Sequence, residues 1–510
     1  MKIRKVLFIM PPAFTFKNCR DINPLPPMGV GYLAAVVRNM GIEVKILDCL
    51  ALGWNREEEV NKDLICVGLS EKEIIAYISD FNPDIVGVNC QFSRQYKSYH
   101  RIFSVIKKLK PRCLTIAGGA HVTVCPKEIL GDKDCDFILM GEAEESFKHF
   151  LECLDAGKEF KSVDGLGWKA GGELYINEKT GWIKDLDALP FPAYDLMNLE
   201  KYFGIKASHG LRRRNRFSPI VTSRGCPAKC TFCSAHKVWG NSYRFRSTDN
   251  VIREMKVLKK QYGVEELMFE DDNVTANPKR AKQLFSRMIE EKFNFIWDTP
   301  NGVGAWSMDE EMIDLMKRSG CVKINFPVES GSQRVLDTIM KKPIKLSRIK
   351  ELITYCRKIS LDCEMFLLIG MPGETLEDIW SSFGFAAKCG CYEPHISVAT
   401  PYPGTKLFEE CTQRGYFARG FTLDDLFIKS FMIQTPYWSE DELKQILSKG
   451  LLYLKIKSLM RNPGNALLRL IMALTHPCVI IEFLKNVVAT IISGKGRSKH
   501  VAGSLLRKGL

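Results

Sequence analysis

The sequence predicts an α/β protein: a doubly wound, Rossmann-like N-terminal domain, then a partial (β/α)6 barrel of TIM type, then a helical C-terminal extension. Three observations carry that expectation. Short apolar runs alternate with helical stretches over residues 1–156, and a second alternation of the same kind occupies 217–405. Between them, 157–216 loses the alternation and reads as a bridge, while 406–510 reads as mostly helical. In both α/β units glycine and polar residues gather where the apolar runs end, the place where such folds bind their ligands.

In the first unit RKVLFIM (4–10) is a strand, Pro24–Pro27 marks a turn, and Gly29–Met40 is a helix closed by Gly41. Strands follow at 42–48, 84–90, 113–119 and 136–141. Helices are expected near 71–79, over Tyr96–Leu109 and over Glu144–Ala156. Asn89, Gly118-Gly119-Ala120-His121 and Gly141-Glu142-Ala143-Glu144 fall at the carboxyl ends of these strands, which makes them the predicted crevice. The bridge holds GLGWKAGGELYI, the proline-rich joint Leu189-Pro-Phe-Pro192 and the basic run Arg212–Arg214. In the second unit the strands are 219–225, 266–271, 294–302, 322–330, 364–373 and 395–404. Helices lie at 248–261, 278–291, 309–318, 332–339, 347–358 and 376–388.

A hydrophobic fraction of 45% with 26% charged residues is that of a globular chain and excludes disordered and fibrous classes. The formal charge of +14 is uneven, since Leu451–Leu510 carries ten Lys and Arg against the single acid Glu482. The opening MKIRKVLFIMPP has too short an apolar run for an export signal and reads as the first strand. Many of the eighteen cysteines, such as Cys66, Cys90 and Cys321, sit inside apolar runs, where a thiol behaves as a small hydrophobe. This usage predicts a reducing, cytoplasmic setting.

The sharpest chemical signal is SRGCPAKCTFCS, which places Cys226, Cys230 and Cys233 in a C-x3-C-x2-C array after the first barrel strand. Three thiolates on one short loop can hold three corners of a [4Fe-4S] cluster and leave the fourth iron open to a small chelating ligand. Zinc competes for such a motif, but structural zinc wants four ligands, often in two pairs, and no C-x2-C partner lies nearby.

This motif, with Phe232 before its last cysteine, resembles that of the radical S-adenosylmethionine (radical SAM) enzymes. The resemblance implies that the three cysteines hold the cluster and that SAM occupies the open iron through its amine and carboxylate. Reductive cleavage of SAM then gives a 5'-deoxyadenosyl radical, with the electron drawn from an external reductant of flavodoxin or ferredoxin type. Phe232 would lie near adenine. Phe269-Glu270-Asp271-Asp272-Asn273 resembles the family's second-strand end, so Asp271 and Asp272 are candidates for substrate or SAM contact, or caps of the following loop. Pro327-Val328-Glu329-Ser330-Gly331-Ser332 resembles the fourth-strand segment, with Glu329 and Ser330 near the ribose or methionyl end. Ile369-Gly370-Met371-Pro372-Gly373-Glu374 resembles the fifth-strand glycine motif, which implies adenine contact for Gly370, Pro372 and Gly373. Pro401–Thr405 resembles the sixth-strand turn.

The first 155 residues resemble the cobalamin-binding domain fused to many radical SAM enzymes. Shared segments are Pro26–Leu33, the GGAH turn at 118–121 and the GEAE turn at 141–144. The D-x-H-x-x-G loop that gives cobalt a histidine elsewhere is absent, as it frequently is in the fused family. The resemblance assigns Gly118, Gly119, Gly141 and Glu142 to cofactor contact, because glycines at strand ends let a large flat ring approach the backbone. His121 either meets a cobalamin edge or phosphate or caps the helix that follows.

From Ala466 the chain is apolar but interrupted by Arg469, Pro477, Glu482 and Lys485, too short in any uninterrupted stretch to span a bilayer. Two amphipathic helices with a basic tail predict either an interfacial anchor on the inner membrane face, which suits a lipid or other hydrophobic substrate, or packing on the barrel. No nucleic-acid partner is expected. The reading that gathers these features is a cobalamin-dependent radical SAM methyltransferase acting on an unactivated carbon of a small-molecule or lipid substrate. Radical cyclisation, carbon–carbon coupling or oxidation without methyl transfer is the rival chemistry, and a cluster-binding scaffold at the membrane surface the non-enzyme rival.

Overall fold

The structure is a computed structural model and describes residues 2–17, 20, 22–205, 212–417, 421–428 and 431–461. Its first sheet has seven strands in the order Glu173–Ile176, Leu166–Ala170, Phe137–Leu139, Leu114–Gly118, Ile85–Asn89, Lys5–Met10, Glu43–Asp48. The last five in that order pair in parallel. Lys5–Met10 shows why these strands read as unbroken apolar runs. Val6 and Phe8 face a core shared with the barrel, whereas Leu7 and Ile9 face a second core under the helices Glu71–Phe81 and Tyr96–Leu109. With both faces buried, neither position of the two-residue period can be polar.

The N-terminal sheet does not stop at residue 156. Leu166–Ala170 and Glu173–Ile176 add two antiparallel strands to its edge, so part of the expected bridge belongs to the first unit. Trp168 stacks on Tyr175 at 5.4 Å and packs edge-on to Phe160 at 5.9 Å, which covers that edge. Ala13–Phe16, Leu64–Val67 and Glu57–Glu59 form a small antiparallel sheet beyond the strands the sequence predicts. The remainder of the bridge ties the units together: Ala193 donates its amide to the Gly31 carbonyl at 3.0 Å, Tyr202 donates to Asp48 at 2.5 Å, and Tyr194 donates to Glu254 at 2.6 Å.

The second unit is an open six-stranded parallel barrel, Phe217–Ile220, Glu266–Phe269, Ile296–Asp298, Cys321–Glu329, Asp362–Ile369 and His395–Val398, in chain order. Its helices match their expected places, and Leu376–Lys388 starts from a capping box between Thr375 and Asp378. Two segments depart from expectation. The first strand ends at Ile220, and Ser223–Arg224 turns away to pair antiparallel with Arg244–Phe245. The helix after the fourth strand is a π-helical turn, Val335–Met340, beside the cysteine loop, a form often found at functional sites. Beyond the barrel come Lys406–Gln413, Asp425–Ile428 and Glu440–Arg461. The last crosses Leu376–Lys388 at Gly450, where a Cβ would strike the Phe383 ring at 2.4 Å. No helix among the described residues is long and apolar enough to cross a membrane. The apolar segment from Ala466 lies outside the described residues.

Candidate active site at the cysteine loop and the domain interface

Cys226, Cys230 and Cys233 lie on the irregular segment after Arg224, as the sequence places them, and two elements pin that loop. The Thr231 amide donates to the Met340 carbonyl at 3.0 Å and its hydroxyl to Ile339 at 3.0 Å, while its carbonyl accepts the Leu407 amide at 2.9 Å. Gly225 (φ +82°) makes the entry turn, because a Cβ there would meet the Ser242 carbonyl at 2.6 Å. The thiols lie within electrostatic reach of one another. Burial raises all three, Cys233 to about 11. Among the described residues no three or more His, Cys, Asp or Glu converge as a single-ion site. A cubane asks for a different arrangement, since each thiolate binds its own iron corner and the three sulfurs need not share a centre. Three pinned thiols on one loop are a donor set that fits a [4Fe-4S] cluster.

Beside the loop sits a charged pair that the sequence half revealed. Glu329, at the end of the fourth strand, is held at φ +68°, and its Oε1 accepts from Lys342 Nζ at 3.0 Å. Lys342 is buried and lies 5.8 Å from the Phe232 ring centre. Burial works to lower this ammonium, but Glu329 and the nearby thiols outweigh it and hold it above its ordinary value. Little in the sequence marks Lys342, which stands thirteen residues after Glu329 in a turn where Lys341 and Lys345 on either side are exposed. Ser330 is buried, and its Oγ accepts the Ser332 amide at 3.2 Å.

Asp271 is buried and accepts the Thr222 amide at 3.1 Å, the Thr222 hydroxyl at 2.8 Å and the Ser223 hydroxyl. Its carboxylate thus shapes the chain leading into the cysteine loop. Asp272 accepts the Gly225 amide at 3.2 Å, and burial, with the charge of Asp271, pushes it up to about 6. At the fifth strand, Gly370 (φ +84°) and Met371 donate their amides to Glu374 at 2.8 Å each. Leu443 of the C-terminal helix takes the space left by the missing Gly370 side chain. Pro372 is buried, and Gly373 (φ +85°) faces Ile339.

The N-terminal crevice divides the residues expected to meet cobalamin. A Cβ on Gly118 would meet only the Leu139 carbonyl, at 3.8 Å, so the central strand ends in room for a flat ring to approach. Gly119 (φ +116°) lies against the Cys90 carbonyl, where a Cβ would come to 2.7 Å. This opening at the strand ends suits cobalamin. His121 is buried, with Nδ1 at 3.0 Å from Ser93 Oγ and Nε2 at 3.2 Å from Glu128 Oε2, so both ring nitrogens have protein partners. Gly141 (φ +63°) receives Lys179 and Trp182 against its bare Cα and donates its amide to Thr123 at 2.8 Å.

Glu142 is buried, and its carboxylate is occupied by the chain itself. It accepts from Arg224 at 2.9 Å, from Arg244 at 2.8 and 2.6 Å, and from the Ile183 amide at 3.0 Å. Glu144 accepts from the other arm of Arg224 at 2.6 Å, and though burial opposes its ionisation, Arg224 holds it below the ordinary carboxylate range. Arg224 and Arg244 are cross-strand partners, and Arg224 lies two residues before Cys226. The GEAE turn is therefore bolted to the root of the cysteine loop. Sequence spacing gave no sign of it, because the partners are 80 to 102 residues apart.

Comparison with known proteins agrees with this geometry. Residues 220–386 match the radical SAM superfamily and residues 23–151 the B12 binding domain. The chain is 34% identical over 483 residues to the cytidylyl-2-hydroxyethylphosphonate methyltransferase of Streptomyces wedmorensis, covering 88% of this chain and 89% of that relative. It is 30% identical over 469 residues to an uncharacterised methyltransferase of Pyrococcus horikoshii, covering 91% and 95%. The radical SAM methyltransferase TsrM of Kitasatospora setae, solved with cobalamin and a [4Fe-4S] cluster bound, shares the fold with a TM-score of 0.66 at 18% identity, over 82% of this chain and 80% of that one. The chain belongs to the cobalamin-dependent radical SAM methyltransferases, with a barrel that takes a [4Fe-4S] cluster and SAM and an N-terminal domain that takes cobalamin.

Proposed function

We propose that this protein methylates an unactivated carbon of a small molecule held between the strand ends of the two units. The observation that carries this reading is the clamp of Glu142 and Glu144 on Arg224 and Arg244, which fixes the edge of the cobalamin crevice to the root of the cysteine loop. The bound groups supply the radical and the methyl group; the chain supplies position and exclusion of water. Cys226, Cys230 and Cys233 hold the cluster. Glu329 and Lys342 offer a carboxylate and an ammonium beside it, matching the opposite charges of a methionyl group. Phe232, Ser330, Pro372 and Gly373 form the wall for the rest of SAM. Gly118 admits cobalamin and Gly119 makes the turn beside it, packed on the Cys90 carbonyl, while Asp271, His121 and Glu142 act through the groups they position, and Asp272 borders the loop.

The test is anaerobic reconstitution with iron, sulfide and cobalamin, followed by turnover with methyl-labelled SAM and a reductant. The relative from Streptomyces makes a cytidylylated hydroxyethylphosphonate the first substrate to offer. Label in a carbon-bound methyl group, together with 5'-deoxyadenosine, supports the proposal; iron without retained cobalt overturns it. The basic, apolar segment from Ala466 supports a second reading of the substrate, as a hydrophobic molecule met at the membrane surface. Co-sedimentation with anionic vesicles that is lost on truncation at Ala466 tests it.

A further inference from the structure

We propose that the outer face of the cysteine loop is the docking surface for a small acidic one-electron carrier. The inference rests on the function proposed above and adds where the electron enters. Pro227, Ala228 and Lys229, the residues between the first two cysteines, line an open groove of about 470 Å³ with Lys341, Pro343 and Lys406. The three lysines are exposed: Lys229 is on the loop itself, and Lys341 and Lys406 adjoin the two segments that hold Thr231. Lys237, on the short helix Ala235–Trp239 that leaves the loop, is exposed as well. Burial, then the charges of Lys237 and Lys406, hold the intervening His236 below its ordinary value, with Glu409 the one carboxylate opposing them there.

Several other lysines of the chain meet carboxylates: Lys282 binds Asp309 and Glu311, Lys323 binds Glu364, and Lys345 binds Asp337. Among the described residues Lys229, Lys237, Lys341 and Lys406 have no carboxylate within ion-pair distance. Four like charges gathered without counterions repel one another and focus a positive field over the groove. Such a field steers an acidic partner and raises its on-rate by about 10 to 10³ at low salt. The wall of the groove is the loop itself, so a carrier seated there stands one loop away from the cysteines. A transient redox contact needs little more area than such a rim, under about 1,200 Å². In the transfer a two-electron-reduced flavin loses one electron and the cluster gains it, with no bond to this chain formed or broken.

The experiment uses the full reconstituted chain and follows 5'-deoxyadenosine formed from SAM with two donors: a flavodoxin kept reduced by its NADPH-dependent reductase, and photoreduced 5-deazariboflavin, a small neutral donor. The variants are Lys341→Glu with Lys406→Glu, and the same pair changed to Gln. The flavodoxin-driven rate is expected to fall at least tenfold on charge reversal and by less with Gln. In the wild type it should rise as salt is lowered from about 0.3 M to about 0.05 M. The deazariboflavin rate should stay the same in all three proteins. An unchanged flavodoxin rate overturns the proposal, as does an equal loss with both donors, which would place the lysines in service of the cluster. Loss of binding to anionic vesicles with the flavodoxin rate intact gives the groove to a membrane instead, and also overturns it. A wild type that cleaves no SAM with either donor refutes the function on which the surface rests.

Discussion

Replacing Glu142 with glutamine keeps the side chain's shape and removes one negative charge from the domain interface. In the native chain two buried arginines, Arg224 and Arg244, are balanced by two buried carboxylates, Glu142 and Glu144. Glu142 accepts four hydrogen bonds, three from guanidinium nitrogens. A glutamine amide accepts through one oxygen and presents its NH2 to donors, so Arg244 keeps only the Ile183 and Trp239 carbonyls as full acceptors. Breaking a buried pair in this way costs about 3–5 kcal/mol, a large share of the roughly 5–15 kcal/mol that holds a domain together. Removing the second charge as well, in Glu142→Gln/Arg244→Gln, should return at least about 2 kcal/mol through the pair's coupling. Urea unfolding of the apo-protein followed by tryptophan fluorescence reads this directly, because Trp239 and Trp182 lie 5.4 and 5.8 Å from the guanidinium groups of Arg224 and Arg244. A single-variant loss below about 1 kcal/mol, or a double variant additive within about 0.5 kcal/mol, would refute the clamp and leave apolar packing to hold the interface.

Glu374 is buried and pushed up to about 8 by burial, despite the two amides it accepts. A carboxyl raised in the folded state costs stability as pH climbs from its unfolded value near 4.5 to about 8, by about 1.4 kcal/mol per pH unit. Urea midpoints of wild type and Glu374→Gln should therefore diverge across that window, with the variant the more stable at pH 8; parallel curves would show that Glu374 is ionised throughout. Gly118→Val and Gly119→Val should separate two roles. The first leaves the apo-protein's melting temperature unchanged and loses cobalamin binding, whereas the second lowers stability by at least about 2 kcal/mol, because its Cβ meets the Cys90 carbonyl at φ +116°. Lys342→Met should weaken SAM binding tenfold or more, measured by equilibrium dialysis, with cluster iron retained. Cys230→Ala should lose the cluster's iron and its visible absorption while keeping bound cobalamin.

Much of this protein was legible in its sequence because the decisive patterns are local. Strands buried on both faces have to be continuously apolar, so the double alternation announced two α/β units, and the helices Tyr96–Leu109, Glu144–Ala156 and Leu376–Lys388 stand where their caps and periodicity put them. The cluster ligands fall within eight residues, so their chemistry needed no tertiary information. The edge strands Leu166–Ala170 and Glu173–Ile176 read as a bridge because short, glycine-flanked, partly exposed strands carry little hydrophobic pattern.

What only the tertiary structure decided is which charges meet. The sequence by itself put Glu142 at a strand end facing a ligand, and His121 at another, facing a ligand or capping the next helix, but folding gave Glu142 to Arg224 and Arg244, and His121 to Ser93 and Glu128. It also brought Lys342 to Glu329 and gathered Lys229, Lys341 and Lys406 around one groove beside the cysteines. A buried ion finds whichever countercharge the packed apolar faces carry to it, so its partner is set by the docking of whole elements and not by its neighbours along the chain.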